Sequence, residues 1–224
     1  MCRMFGMVAT TAISPRDLLH DAPRSLRALS REHPDGWGIA LHDTDWTIER
    51  DTSCADACAR YAALADRPGH VIVAHVRKAT VGPVSLANTH PFRRGRFVFA
   101  HNGTFDPAPL APLTAPEHTA AIAGDTDSER LFAFLLTQID AAGSVARGLA
   151  TAIGTVQGLA GSANFLFSCG EHLYAHRFGR ELFVAQRPGV ALVASEPLTD
   201  EAWSELPDRT LVELEPGAPI ALAA

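Results

Sequence analysis

In this 224-residue sequence the residues best suited to chemistry are Cys2, Arg77, the pair Asn102-Gly103, and Asp127. Cys2 directly follows the initiator, and methionine aminopeptidase removes Met1 readily when the next side chain is small. The mature chain is therefore expected to begin at Cys2, with a thiol and a free α-amine on one residue. An α-amine has an unperturbed pKa of roughly 7.7–8.0, so it is partly neutral near pH 7. It can take the thiol proton directly or through one water, which makes nucleophile and base a single residue. A guanidinium such as Arg77 grips a carboxylate in a bidentate fork, and a carboxylate such as Asp127 holds an ammonium. An Asn side-chain NH₂ beside a Gly backbone N–H offers two preorganised donors to an oxyanion. Together the four suit an α-amino acid with an amide side chain, which presents a carboxylate, an ammonium and a carbonyl open to attack. Each alone has a plainer explanation: a solvated strand-end charge, a common turn dipeptide, or an acidic residue favoured by the helix macrodipole.

The elements that must position these groups can be read from local patterning. Residues 3–10 alternate loosely and predict a strand that opens at Cys2. Ser14-Pro15 starts a helical stretch, broken near Pro23 into two short pieces. His33 to Leu41 predicts a turn and then a strand that pairs with Trp46–Arg50 across Asp43–Asp45. The Ala-rich segment 53–66 predicts a helix that would put Cys54 and Cys58 on one face. Val71–Val76 is β-branched and reads as a buried strand leading into a loop over 77–91. Residues 96–101 predict a strand ending in a turn at His101-Asn102-Gly103. After a Pro- and Thr-rich excursion over 104–123, Thr126 and Glu129 have capping-box spacing. The helix that follows has Leu131, Phe132, Leu135, Leu136 and Ile139 on its apolar face, and a second helix covers 144–157. Strands are expected at 163–169, 171–177, 181–187, 190–195 and 209–214. Strands, then central helices, then strands argue for a two-sheet core with helices outside it.

Composition narrows the function classes. A net charge of −6, with 47% hydrophobic and 20% charged residues, describes a globular protein without the basic excess of a nucleic-acid surface. Lys78 is the only lysine among 19 basic residues. No apolar run is long enough to span a membrane and no clean signal peptide is present, so a cytoplasmic location is expected. One domain over residues 1–224 is the default at this length. The four cysteines follow no disulfide or metal spacing. His75, His90 and His101 fall near the candidate site, but their spacing fits no zinc or iron pattern, so hydrogen-bonded structural roles are expected. No phosphate-binding glycine loop is present. No metal and no cofactor is expected.

Several ordered motifs carry a resemblance: Cys2 behind Met1, DGWGIA at 35–40, HVRKAT at 75–80, NTHPF at 88–92, AHNGTF at 100–105, GDTDSE at 124–129 and VALVASEPL at 190–198. With these the sequence resembles the class II glutamine amidotransferases, which are N-terminal-nucleophile hydrolases. Within them it is most like the stand-alone YafJ type and the γ-glutamyl hydrolase of ergothioneine synthesis. The resemblance implies an α+β fold, a four-layer αββα sandwich of two antiparallel sheets. It implies Cys2 as nucleophile, Asn102 and Gly103 as the oxyanion hole, and Arg77 as the binder of the substrate α-carboxylate with Thr80 as helper. Asp127 would hold the substrate ammonium, with the Gly103 carbonyl as a second acceptor, and Asp125 reads as structural. Lys78 and Val81 depart from the Trp and His of ammonia-channelling relatives, and no synthase part follows the glutaminase-like motifs.

The activity implied is hydrolysis of a γ-glutamyl amide, glutamine or a γ-glutamyl conjugate, through a Cys2 thioester. Two alternatives accompany it: a glutaminase subunit passing ammonia to a separate synthase chain, and a silent glutamine- or glutamate-binding protein. The expected partner is a small molecule, with neither nucleic acid nor membrane involved.

Overall fold

The computed structural model describes residues 2–218 and 220. In chain order the elements are β1 (Arg3–Ile13), α1 (Leu26–Leu29), β2 (Trp37–His42), β3 (Trp46–Asp51), α2 (Ala59–Ala65), β4 (Gly69–Val76), β5 (Phe92–Arg94) and β6 (Phe97–Phe105). Then come α3 (Pro116–Ala120), α4 (Asp127–Ala142), α5 (Val145–Val156), β7 (Gly161–Ser168), β8 (Leu173–Arg177), β9 (Phe183–Arg187), β10 (Val190–Ala194), β11 (Ser204–Glu205) and β12 (Thr210–Leu214). The strands form two antiparallel sheets. One has seven strands in the order β11-β9-β10-β1-β4-β2-β3, the other five in the order β12-β8-β7-β6-β5.

Alternation along the strands builds three apolar layers, and these define a four-layer αββα sandwich. Phe5, Met7 and Ala9 of β1, with Ile72, Ala74 and Val76 of β4, face outward and pack with Leu18, Leu26, Tyr61 and Leu64 from the first helical layer. Met4 and Val8, with Val71 and Val73, point the other way and meet Val98, Ala100, Leu166 and Ala175 of the second sheet. Phe99, Phe105, Phe165 and Phe167 line the far face of that sheet under Leu131, Phe132, Leu135 and Leu149 of α4 and α5. Period-two alternation is thus used on both faces of both sheets. Fully burying each such side chain stabilises the fold by roughly 1.5–3 kcal/mol, and the layers hold Phe5, Phe99, Phe132, Phe134, Phe165 and Phe167 without exposure.

Three local expectations are corrected. The helix expected over 53–66 begins only at Ala59, with Cys58 as its extended N-cap. The Asp51 carboxylate accepts the Ser53 N–H at 2.8 Å, so a side-chain turn outcompetes helix at the segment's start. Cys54 and Cys58 therefore share no helical face; the Cys54 thiol instead donates to the Ser30 carbonyl at 3.3 Å. The turn expected at Asn102-Gly103 is continuous strand, with Asn102 opposite Asn164 and Gly103 opposite Ala163. The capping box at Thr126 and Glu129 does not form, because the Thr126 side chain caps nothing. Glu129 accepts instead from the backbone N–H groups of Ala123 and Gly124, at 2.9 and 2.6 Å, and folds the turn that precedes the helix.

Buried histidines tie this fold to pH. Burial lowers His75 to about 3, and lowers His33 and His176 to about 4, so all three stay neutral in the folded protein. Between those values and the unfolded pKa of about 6.5 the unfolded chain binds more protons, so stability rises with pH across that window and is lost as pH falls through it. Each such histidine contributes a slope of about 1.4 kcal/mol per pH unit inside its window. Urea melts at stepped pH are expected to show a flat midpoint between about pH 7 and 8 and a steepening loss from about pH 6.5 to 4. His176→Gln should flatten that loss.

Candidate active site

Where the inter-sheet rows end, they turn polar. On β4 the row Val71, Val73 continues as His75 and, one residue past the strand, Arg77; on β6 the row Val98, Ala100 continues as Asn102. On β1, Met4 is followed two residues earlier in the chain by Cys2. The last β1–β4 pair is Arg3 opposite Val76, so Cys2 and Arg77 stand together one step beyond it. The two sheets part here into a cleft of about 310 Å³ including its open mouth.

The cleft gathers Cys2, Arg77, Thr80, Gly103 and Asp127, as the sequence leads one to expect. Asn102 does not line it directly: it is buried on the inter-sheet face beside Gly103. Lys78, Asn88, His90, His101, Thr126 and Ser128 line the cleft without having been singled out as functional. The expected removal of Met1 concerns a residue outside those described.

The Cys2 sulfur accepts the Lys78 backbone N–H at 3.4 Å and lies 3.5 Å from the Lys78 carbonyl. Burial pushes the thiol pKa up; the Lys78 N–H and the Arg77 charge pull it part of the way back, while Asp127 opposes them. The loop carrying Lys78 is pinned by the DGWG turn. Arg77 N–H donates to the Gly36 carbonyl at 2.7 Å and Asp35 N–H to the Arg77 carbonyl at 3.0 Å. Asp35 also accepts the Ala79 N–H at 2.8 Å.

Arg77 is 4% exposed, and its guanidinium is held by loop carbonyls. It donates to the carbonyls of Pro83 and Val81 at 3.0 Å and of Gly82 at 3.4 Å. Among the described residues it forms no ion pair. Asp127, 5% exposed at the first turn of α4, accepts the Phe105 N–H at 3.1 Å and the Ser128 N–H at 2.9 Å. It too has no cationic partner among the described residues. A buried charge is costly unless paired, so a guanidinium and a carboxylate left uncompensated in one cleft are complementary to a zwitterion. A side chain at Gly103 is excluded, since a Cβ there would lie 2.1 Å from the Ser162 carbonyl. The backbone of β6 is thereby left bare where it borders the cleft.

The three histidines cluster at the wall of this site, with His90 and His101 lining it. His90 Nδ1 and His75 Nε2 are 3.2 Å apart, His101 N–H approaches His90 Nδ1 at 3.4 Å, and His101 Nδ1 pairs with Ser128 Oγ at 2.8 Å. Burial holds all three below the usual histidine range, so they supply no cation to offset Asp127. Their motif neighbours, NTHPF and AHNGTF, were the signal that placed them nearby.

Known proteins resemble this chain in sequence and in fold. The family model described as glutamine amidotransferases class-II matches residues 1–189. A Mycobacterium tuberculosis protein named gamma-glutamyl-hercynylcysteine sulfoxide hydrolase is 33% identical over 232 residues, covering 96% of this chain and 93% of that protein. In fold, the chain is similar to a predicted glutamine amidotransferase of Pseudomonas aeruginosa, with a TM-score of 0.68 at 22% identity and full coverage of both chains. It is also similar to the glutamine phosphoribosylpyrophosphate amidotransferase of B. subtilis, with a TM-score of 0.72 at 20% identity, over 96% of this chain and 47% of that one. Among the described residues no helix is long and apolar enough to cross a membrane.

The raised thiol pKa has a direct readout. In protein retaining Met1, alkylation of Cys2 by iodoacetamide, followed by peptide mass spectrometry, is expected to accelerate steadily from pH 7 to 9. A plateau below pH 8 would contradict the burial account.

Proposed function

The chain belongs to the class II glutamine amidotransferases, and from that premise we propose that it hydrolyses a γ-glutamyl amide with Cys2 as nucleophile. The observation that carries this is the pair of buried, uncompensated charges, Arg77 and Asp127, in one cleft with the Cys2 sulfur. A γ-glutamyl head group offers its α-carboxylate to Arg77 and its α-ammonium to Asp127. Three bonds to loop carbonyls leave part of the guanidinium's five-donor set for the ligand. Thr80, on the same loop, is assigned as a helper for the carboxylate.

The α-amine of Cys2, freed by loss of Met1, accepts the thiol proton. The thiolate then adds to the amide carbonyl. The oxyanion is assigned to the Asn102 side-chain NH₂ and the Gly103 backbone N–H. Losing one such donor typically costs about 10²–10³ in rate. Collapse breaks the C–N bond, the α-ammonium protonates the departing amine, and a γ-glutamyl thioester remains on Cys2. Water, deprotonated by the same amine, cleaves the thioester and releases glutamate. Every proton taken by the α-amine is returned, so the cycle needs no cofactor.

For the leaving group we favour an amine belonging to a small molecule over ammonia passed to a synthase chain. The support is similarity over nearly the whole length of a relative whose name is that of a hydrolase of a γ-glutamyl conjugate. The departures at Lys78 and Val81 in the Arg77 loop point the same way.

Glutamate release from glutamine and from γ-glutamyl amides of bulkier amines tests both levels. Cys2→Ala is expected to abolish release, by at least about 10³-fold. Asp127→Asn should raise KM about 10–100-fold, the value of a hydrogen bond to a charged group. Turnover of glutamine alone would favour the ammonia-passing reading. Ligand binding by wild type with no release from any amide would favour the silent binder.

A further inference from the structure

We propose that Asn88 is a positioning residue that holds Arg77 and Asp127 in register with each other. This rests on the roles just assigned to those two groups. An α-amino acid carries its carboxylate and ammonium on one carbon, so a site gripping both needs their partners fixed to within roughly 0.5 Å. Here the partners come from separate parts of the chain, the loop after β4 and the first turn of α4.

One side-chain amide joins them. Asn88 sits in the single helical turn Leu86–Asn88, is buried, and lines the cleft. Its Nδ2 donates to the Pro83 carbonyl at 3.1 Å, the carbonyl that also accepts Arg77 Nη1 at 3.0 Å. Its Oδ1 accepts the Asp125 N–H at 2.9 Å, two residues before Asp127. One face of the amide thus braces the carbonyl cradle of Arg77, and the other braces the turn that presents Asp127.

The chain on both sides is shaped to admit that amide. A Cβ on Gly124 would fall 2.3 Å from Asn88 Oδ1, and one on Gly82 would fall 2.9 Å from Nδ2. Both approaches are closer than real side chains allow, so two glycines clear the space in which the amide spans the two segments. Only an amide serves both bonds in a neutral state. A carboxylate would lack the donor for Pro83, and an isosteric leucine would lack both groups.

The test compares two reagents for the same sulfur. A diazo-ketone analogue of glutamine must be gripped at both charged ends before it labels Cys2, whereas iodoacetamide needs only the thiol. In Asn88→Ala, labelling by subsaturating analogue is expected to fall about 10–100-fold, while alkylation by iodoacetamide stays within about twofold of wild type. Gly124→Ala keeps the amide but presses on Oδ1 and, at 2.9 Å, on the neighbouring Ala87 carbonyl. It should give the same selective loss, and it decides the matter if Asn88→Ala does not fold. Unchanged labelling by the analogue in a folded variant overturns the proposal. An equal fall with both reagents also overturns it, because that is the mark of general disruption. If the analogue fails to label wild type while iodoacetamide succeeds, the substrate reading of the cleft falls, and the role of Asn88 falls with it.

Discussion

The face-to-face contact of the two sheets is the constraint on which the rest of the molecule depends. It fixes the direction of every side chain on β1, β4 and β6, because a shift of one residue would send each row to the opposite face. Val71 and Val73 on one sheet and Val98 and Ala100 on the other close that layer with hydrocarbon. The same rows run on into Arg77 and Asn102, and the β1 row reaches Cys2. The polar ends cannot be packed as hydrocarbon, so the layer opens there, and the apolar part of each row anchors the polar part. The site is therefore a continuation of the core, held by the same burial that holds the sheets together.

The helix-facing side supplies the opposite charge. Asp127 is brought to the cleft by the first turn of α4, where the macrodipole favours a carboxylate. It is set by the turn that Glu129 folds through the N–H groups of Ala123 and Gly124. Arg94 joins that arrangement, donating to Glu129 at 3.1 Å. Glu129 thus has its cation and Asp127 has none among the described residues, although both are buried at the start of one helix. In the proposed function that difference separates a structural carboxylate from one left for a ligand.

Much of this was legible in the sequence, and the failures share a physical cause. β4 and α4 stood out because β-branched runs and apolar residues at helical spacing record the face each element buries. Cys2, Arg77 and Asp127 could be named because they sit at element ends, and Gly103 through its AHNGTF motif. Asn102-Gly103 misled, since the dipeptide's turn preference is local and pairing with Asn164 and Ala163 of β7 overrides it. The helix over 53–66 was overextended because alanine content says nothing about a side chain such as Asp51 capturing a backbone N–H. Glu129 and Asn88 escaped for a related reason. Each bonds to main-chain groups of a distant or folded-back segment, and such bonds leave no periodic trace.

The same preference for main-chain partners explains how the site can be rigid and still attract a ligand. Three carbonyls orient the Arg77 guanidinium, and two backbone N–H groups orient the Asp127 carboxylate. The Cys2 sulfur takes a backbone N–H from Lys78 in the same manner. Dipoles of this kind fix direction and satisfy hydrogen bonds without cancelling net charge. Had a protein carboxylate held Arg77, a ligand would have to displace it and would gain only the difference between two ion pairs. With carbonyls in that place, the proposed function has the full attraction of a buried guanidinium kept for the incoming carboxylate, with the ammonium meeting Asp127 on the same terms. A ligand bearing only one of the two charges would leave the other buried and unpaired. Under the proposed function the cleft therefore discriminates by requiring both charges at once.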